Sequence, residues 1–262
     1  MTASRHPARV DPDQDVAEKS PALPGFFYSR YHGGMPTSPT EVLLSWSGGK
    51  DCLMTLQRLQ EDVSWRVVGL LTTVNRNFQR IAMHGVRRDV LEAQAGALGL
   101  PLVVAELEWP SSNDAYEAAF AAALTEAQVR WPGLRHIAFG DLFLEDVRAY
   151  RQKQLGQLGW EGIFPLWGED TTALAHRFVA EGHRAWLCCV DTQQLHGRFA
   201  GHAFDASLLA SLPGSADPCG ERGEFHTLSF GGPLFEHDLA LRQGELVMRD
   251  ERFRYCDFLL DD

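Results

Sequence analysis

Beyond Glu41, apolar residues follow two alternating patterns. Short unbroken runs near 42–46, 66–74, 102–107, 135–139 and 162–166 have the length of buried strands, and the longer stretches near 51–62, 86–98, 113–129 and 144–158 carry apolar residues at helical spacing. Asn113 or Asp114 is placed to cap the third helix, with Glu117 in its first turn. Strand and helix alternating over short links predict an α/β fold with a doubly wound parallel sheet, in which ligands sit beyond the carboxyl ends of the strands. Past Asp170 the rhythm changes to a helix near 170–181, a strand near 184–190, a short helix after Asp205, and then strand-like pieces punctuated by Gly and Pro. The expected organisation is a leader over 1–40, a sheet domain over 41–169 and a second, smaller α+β domain over 170–262. Six prolines between Pro7 and Pro39 interrupt polar stretches and predict a flexible leader, although Phe26, Phe27, Tyr28 and Tyr31 offer means of pinning it to the body. No internal repeat is visible.

Composition narrows the partners. The formal charge is −11, from 35 acidic and 24 basic residues, and this opposes long contact with a nucleic-acid backbone unless a local basic patch overcomes it. The densest basic group, Arg148, Arg151 and Lys153, reads as one helix face. Five cysteines without a C-x-x-C pair indicate neither a disulfide framework nor a zinc ribbon and point to a reducing, cytoplasmic setting. No window of about 18 apolar residues occurs, and the first thirty residues lack the charged start and hydrophobic run of a signal peptide, so neither membrane insertion nor export is expected.

Candidate chemistry begins at Ser47-Gly48-Gly49-Lys50-Asp51-Cys52, between the apolar run Val42 to Trp46 and the helical spacing of Leu53, Leu56 and Leu59. A strand, a glycine turn and a helix start form a phosphate cradle: Gly48 and Gly49 let backbone N–H groups approach an anion, the helix presents its unpaired amides, and Lys50 adds a mobile positive charge. The spacing is not that of a Walker A loop. The plain alternative is a turn that merely punctuates strand and helix.

Three further segments bear on function. In Gly140-Asp141-Leu142-Phe143-Leu144-Glu145-Asp146-Val147-Arg148, at a strand-to-helix junction, acidic side chains can hold Mg²⁺ beside nucleotide phosphates and Arg148 can meet an anionic substrate; an ordinary acidic helix start explains them equally well. In Asp217-Pro218-Cys219-Gly220-Glu221-Arg222-Gly223-Glu224-Phe225-His226-Thr227, two carboxylates and an imidazole have the means for proton transfer or metal contact, and Glu224 and His226 share a face if that stretch is extended. The alternative there is a turn with solvated side chains. His84, between a strand and a helix, reads as a cap or packing residue, with nucleotide contact suggested by its position across from the glycine turn.

The glycine turn resembles the pyrophosphate loop, SGGxDS, of ATP pyrophosphatases. With Gly140-Asp141 and Arg148, Phe164-Pro165-Leu166-Trp167, and above all the CGExGE pattern of Cys219 to Glu224, the chain from about Val42 to Phe235 resembles the diphthine–ammonia ligase family. That resemblance implies a Rossmann-like nucleotide domain of the pyrophosphate-loop type, a smaller domain completing the substrate site, and cleavage of ATP at the α-phosphate. It implies an ATP site of Ser47, Gly48, Gly49, Lys50, Asp51, Cys52, His84 and Gly140, with Asp51, Asp141 and Glu145 as Mg²⁺ contacts. Arg148, Glu221 and Glu224 are the implied substrate contacts, and Lys50, Glu221, Glu224 and His226 the implied catalytic groups. Two departures stand out: Cys52 replaces the usual Ser, and Gly201-His202 stands where the family commonly has Gly-Arg.

The expected reaction is attack of a small-molecule or protein-borne carboxylate on ATP, with release of pyrophosphate, followed by displacement of AMP by ammonia or another amine. The rivals are a tRNA-modifying enzyme, which calls for paired cysteines and a basic surface, and a non-catalytic adenine-nucleotide sensor, which has no need of the acidic loop.

Overall fold

The computed structural model describes residues 38–81 and 84–261, so the expected leader lies outside the described residues except for its last three positions. Five strands, β1 (Thr40–Ser45), β2 (Trp65–Asn75), β3 (Leu102–Leu107), β4 (His136–Ala138) and β5 (Glu161–Ile163), form one sheet in the order β3-β2-β1-β4-β5, parallel throughout. The links carry α1 (Lys50–Glu61), α2 (Arg88–Ala97), α3 (Asn113–Arg130) and α4 (Glu145–Gln157). Successive residues of β1 enter opposite layers: Val42 and Leu44 join Leu53, Leu56 and Leu59 of α1 and Val90 of α2, whereas Leu43 joins Phe120 and Leu124 of α3 and Leu155 of α4. An unbroken apolar strand is what such two-sided cover requires.

The third helix is capped one residue earlier than the sequence suggested. Ser112 Oγ accepts the Ala115 N–H at 3.2 Å, and Asn113 and Asp114 lie inside the first turn. Elsewhere Asp170 and Asp205 cap α5 (Thr171–Ala180) and α6 (Ala206–Ser211) through the amides of Ala173 and Leu208.

The remaining strands, β6 (Arg184–Asp191), β7 (Phe225–Gly231), β8 (Leu241–Arg249) and β9 (Phe253–Leu260), make an antiparallel sheet in the order β7-β6-β9-β8. Its apolar side does not close on itself. Leu187, Val190, Phe225 and Phe258, with Leu174 and Phe178 of α5, belong to the same buried cluster as Val42 and Leu53. Asp257 of β9 ties the sheets further, accepting from Arg80 at 2.8 and 3.1 Å and from Arg87 at 2.6 and 3.0 Å. Among the described residues no helix is long and apolar enough to cross a membrane.

Candidate active site

The strand order reverses at β1, whose neighbours are β2 and β4, and the carboxyl ends of β1 and β4 flank the crevice where doubly wound sheets bind ligands. A cavity of ≈ 520 Å³ opens there, within the roughly 300–1,000 Å³ usual for small-molecule sites. Ser45 at the end of β1 and Ser47 just beyond it enter its wall, Phe139, Gly140 and Asp141 follow β4, and the loop from Cys219 to Gly223 closes it from the side of the second sheet.

The glycine turn forms the floor. Gly48 has φ +80°, a left-handed conformation costly to a side chain, and Gly140 lies so close to α1 that a Cβ would stand 3.0 Å from the Asp51 carbonyl carbon. Among the described residues the amides of Asp51 and Cys52 meet no acceptor, as expected of a helix start awaiting an anion. Cys52, in place of the usual Ser, lines the cavity with its thiol 3.0 Å from the Gly49 carbonyl, and burial pushes that thiol up to about 11, so it stays protonated.

Lys50 is buried rather than mobile. Its Nζ donates to both oxygens of Asp51, at 2.7 and 2.9 Å, and to the Cys219 carbonyl. Burial by itself would favour the neutral amine, but Asp51 more than reverses this and keeps the ammonium charged. The Cys219 thiol, pushed up to about 12 by burial, stays uncharged and adds nothing to that balance. Glu221 is raised as well: burial and the neighbouring Asp51 push its carboxyl up to about 8. His84 and His226 stack with ring centres 4.5 Å apart. Burial holds His84 down to about 4, while burial and the neighbouring His84 hold His226 well below the ordinary imidazole value, so both rings are neutral at pH 7.

Of the residues singled out from sequence, Ser47, Lys50, Asp51, Cys52, His84, Gly140, Asp141, Glu221 and His226 meet at this cavity. Gly48 and Gly49 shape the turn behind its wall. Three others do not reach it. Glu224, expected to act on substrate, is buried, and its oxygens accept the amides of Asp217 at 2.7 Å and Arg222 at 3.0 Å, so it braces the loop. Arg148 lies over the rings of Trp167 at 4.5 Å and Phe164 at 5.1 Å. Glu145 is exposed at the start of α4. His202 also stays away from the cavity, exposed and edge-on to Phe199.

The structure adds residues that sequence reasoning passed over. Arg151, one turn beyond Arg148 on α4, reaches Asp141 at 2.7 Å and lies over Phe139. Helical spacing offered both arginines, and only the packing of α4 selects between them. Arg222 is exposed at the cavity wall. Asp217 Oδ1 accepts the Cys219 amide at 2.7 Å, and its Oδ2 accepts the Thr171 hydroxyl, so two carboxylates, Asp217 and Glu224, shape the loop that presents Glu221. No sequence signal distinguished bracing from catalytic carboxylates in that run.

Residues 40–159 match the family described as diphthamide synthase N-terminal domain. This part of the chain is similar to that family. The relative "Diphthine--ammonia ligase" of Schizosaccharomyces pombe is 24% identical over 224 residues, covering 79% of this chain and 37% of the relative. The chain therefore spans just over a third of that relative's length. Both findings agree with the family resemblance carried by the glycine turn and the CGExGE loop, and the family match alone takes in the whole parallel sheet except β5.

Proposed function

We propose that the cavity binds ATP and catalyses amide formation by way of an acyl-adenylate, as a diphthine–ammonia ligase-like enzyme. One observation carries this reading: the glycine turn, the Asp141 loop and Glu221 line a single cavity at the switch point of the parallel sheet. The amides at the start of α1 and the Lys50 ammonium face charge that gathers on departing pyrophosphate, a form of catalysis that works through position and field. A substrate carboxylate attacks the α-phosphorus, the α–β phosphoanhydride bond breaks, and pyrophosphate leaves. Ammonia or an amine then attacks the acyl carbon and expels AMP.

The proton released by the amine needs an acceptor whose pKa lies near the working pH, and Glu221 meets that condition better than either imidazole. Arg151 and Arg222 are the guanidinium groups placed to orient an anionic substrate. Among the described residues no group of three or more His, Cys, Asp or Glu is placed to hold a metal ion. Mg²⁺ commonly binds through one or two carboxylates together with substrate phosphates; Asp51 and Asp141 would hold it, and the ion would neutralise charge on the triphosphate.

The test is incubation with ATP, ammonium and a panel of carboxylic acids, following AMP and pyrophosphate together. Equal release of both, dependent on the acid and abolished in Lys50→Met, is the expected result. Release of ADP in their place, or no acid dependence, overturns the proposal.

A further inference from the structure

The glycine turn is held from outside the parallel sheet. Gly49 occupies the N-cap of α1 and has no side chain to accept a first-turn amide. The acceptor comes from a distant part of the chain: the Lys50 N–H donates to Thr227 Oγ1 at 3.0 Å in a buried setting. Two residues further along β7, the Ser229 N–H donates to the Gly48 carbonyl at 2.8 Å, so the outer edge of that strand runs beside the turn. Gln94 of α2, fully buried, grips the same place. Its Nε2 donates to the carbonyls of Gly48 at 2.9 Å and Ser229 at 2.6 Å, and its Oε1 accepts the Trp46 indole N–H at 2.8 Å.

The Gly48 carbonyl therefore has two donors. Because a trans peptide is planar, with C=O and N–H opposed, aiming that carbonyl at Gln94 and β7 aims the Gly49 N–H the opposite way. That side is where Ser47 Oγ lies, 3.4 Å from the Gly49 nitrogen, and Ser47 lines the cavity.

We propose that Thr227 and Gln94 are positioning residues for the phosphate turn: they set the direction of its amides, and the turn takes its anion-binding form only when β7 is docked against it. This rests on the reading that the turn grips the phosphates of ATP, but its first readout does not. Amide hydrogen exchange at Gly49 and Lys50, without nucleotide, is compared in the unaltered protein, Thr227→Val, Thr227→Ser and Gln94→Leu. Loss of a buried hydrogen bond predicts exchange about tenfold faster at these amides in the Val and Leu variants, with α3 unchanged and with Thr227→Ser restored toward the original rate. The second readout is ATP turnover, in which KM for ATP rises about tenfold in the same two variants and recovers in Thr227→Ser.

Unchanged exchange at the turn overturns the proposal, and so does uniform acceleration that includes α3, which marks a merely structural role. If the exchange pattern appears but the unaltered protein neither binds nor cleaves ATP, the positioning stands and the reading of the cavity as an ATP site falls.

Discussion

Burial acts on Lys50 and Glu221 in the same cavity, and beside Asp51 both groups keep their protons at pH 7. For Lys50 the carboxylate outweighs desolvation and the ammonium keeps its proton; for Glu221 the same carboxylate adds to desolvation, and the carboxyl also keeps its proton until about pH 8. If Glu221 accepts a proton from the amine, turnover by the unaltered protein rises between pH 7 and 9, and Glu221→Gln lowers it by roughly 10²–10⁴-fold while removing that rise, as a pH–rate profile would show. Stability moves the opposite way. The unfolded chain releases this proton near 4.5 and the folded chain near 8, so between these values the folded state binds more protons and loses stability as pH rises. Glu221→Gln therefore raises the urea midpoint at pH 8 more than at pH 5. His84 acts in the opposite direction, because its folded value of about 4 lies below the unfolded 6.5 and its contribution is lost as pH falls through that window.

At the scale of elements, the start of α1 depends on three neighbours: the β4 end at Gly140, the β7 edge at Thr227 and the loop carbonyl of Cys219. A Cβ at position 140 would lie 3.0 to 3.2 Å from the Asp51 carbonyl group and the Cys52 amide, which are backbone and cannot swing aside. Gly140→Ala is expected to cost about 1–3 kcal/mol in chemical denaturation and to weaken ATP binding, because relief requires tilting α1 away from β4. A calorimetric titration finding unaltered affinity would show that the helix start tolerates that shift. Ser112 presents the contrasting case, an N-cap at the start of α3, an element that supplies no side chain to the cavity.

At the scale of the folded body, the two sheets share one hydrophobic cluster, and Asp257 adds a charged tie through Arg80 and Arg87. Burial alone would raise that carboxyl, but the two guanidinium groups overcome it and hold the carboxyl down to about 2. Its contribution is present above the unfolded value of 3.8 and is lost as pH falls from there toward 2. Asp257→Asn is expected to remove about 1.5–3 kcal/mol at pH 7, since hydrogen bonds to charged partners are the stronger kind. Both sheets should unfold in one transition in the unaltered protein, followed by tryptophan fluorescence and circular dichroism together. Separate transitions would contradict a shared core.

The alternation of apolar runs and the glycine turn are local properties, and from them the order of strands and helices, the parallel sheet and the position of residues 47–52 between a strand and a helix start were legible. Strand length and helical period depend on neighbours within a few residues, which is why sequence sufficed there. It could not separate Glu221, which enters the cavity, from Glu224, three residues on and bonded to loop amides, nor Arg151 from Arg148 on one helix. Those assignments depend on which backbone amides and aromatic faces arrive from elsewhere in the chain, as Thr227 arrives at Lys50. Desolvation and the proximity of charges arise only when these segments pack, so the protonation of Glu221 and of the histidine pair was decided by tertiary structure alone.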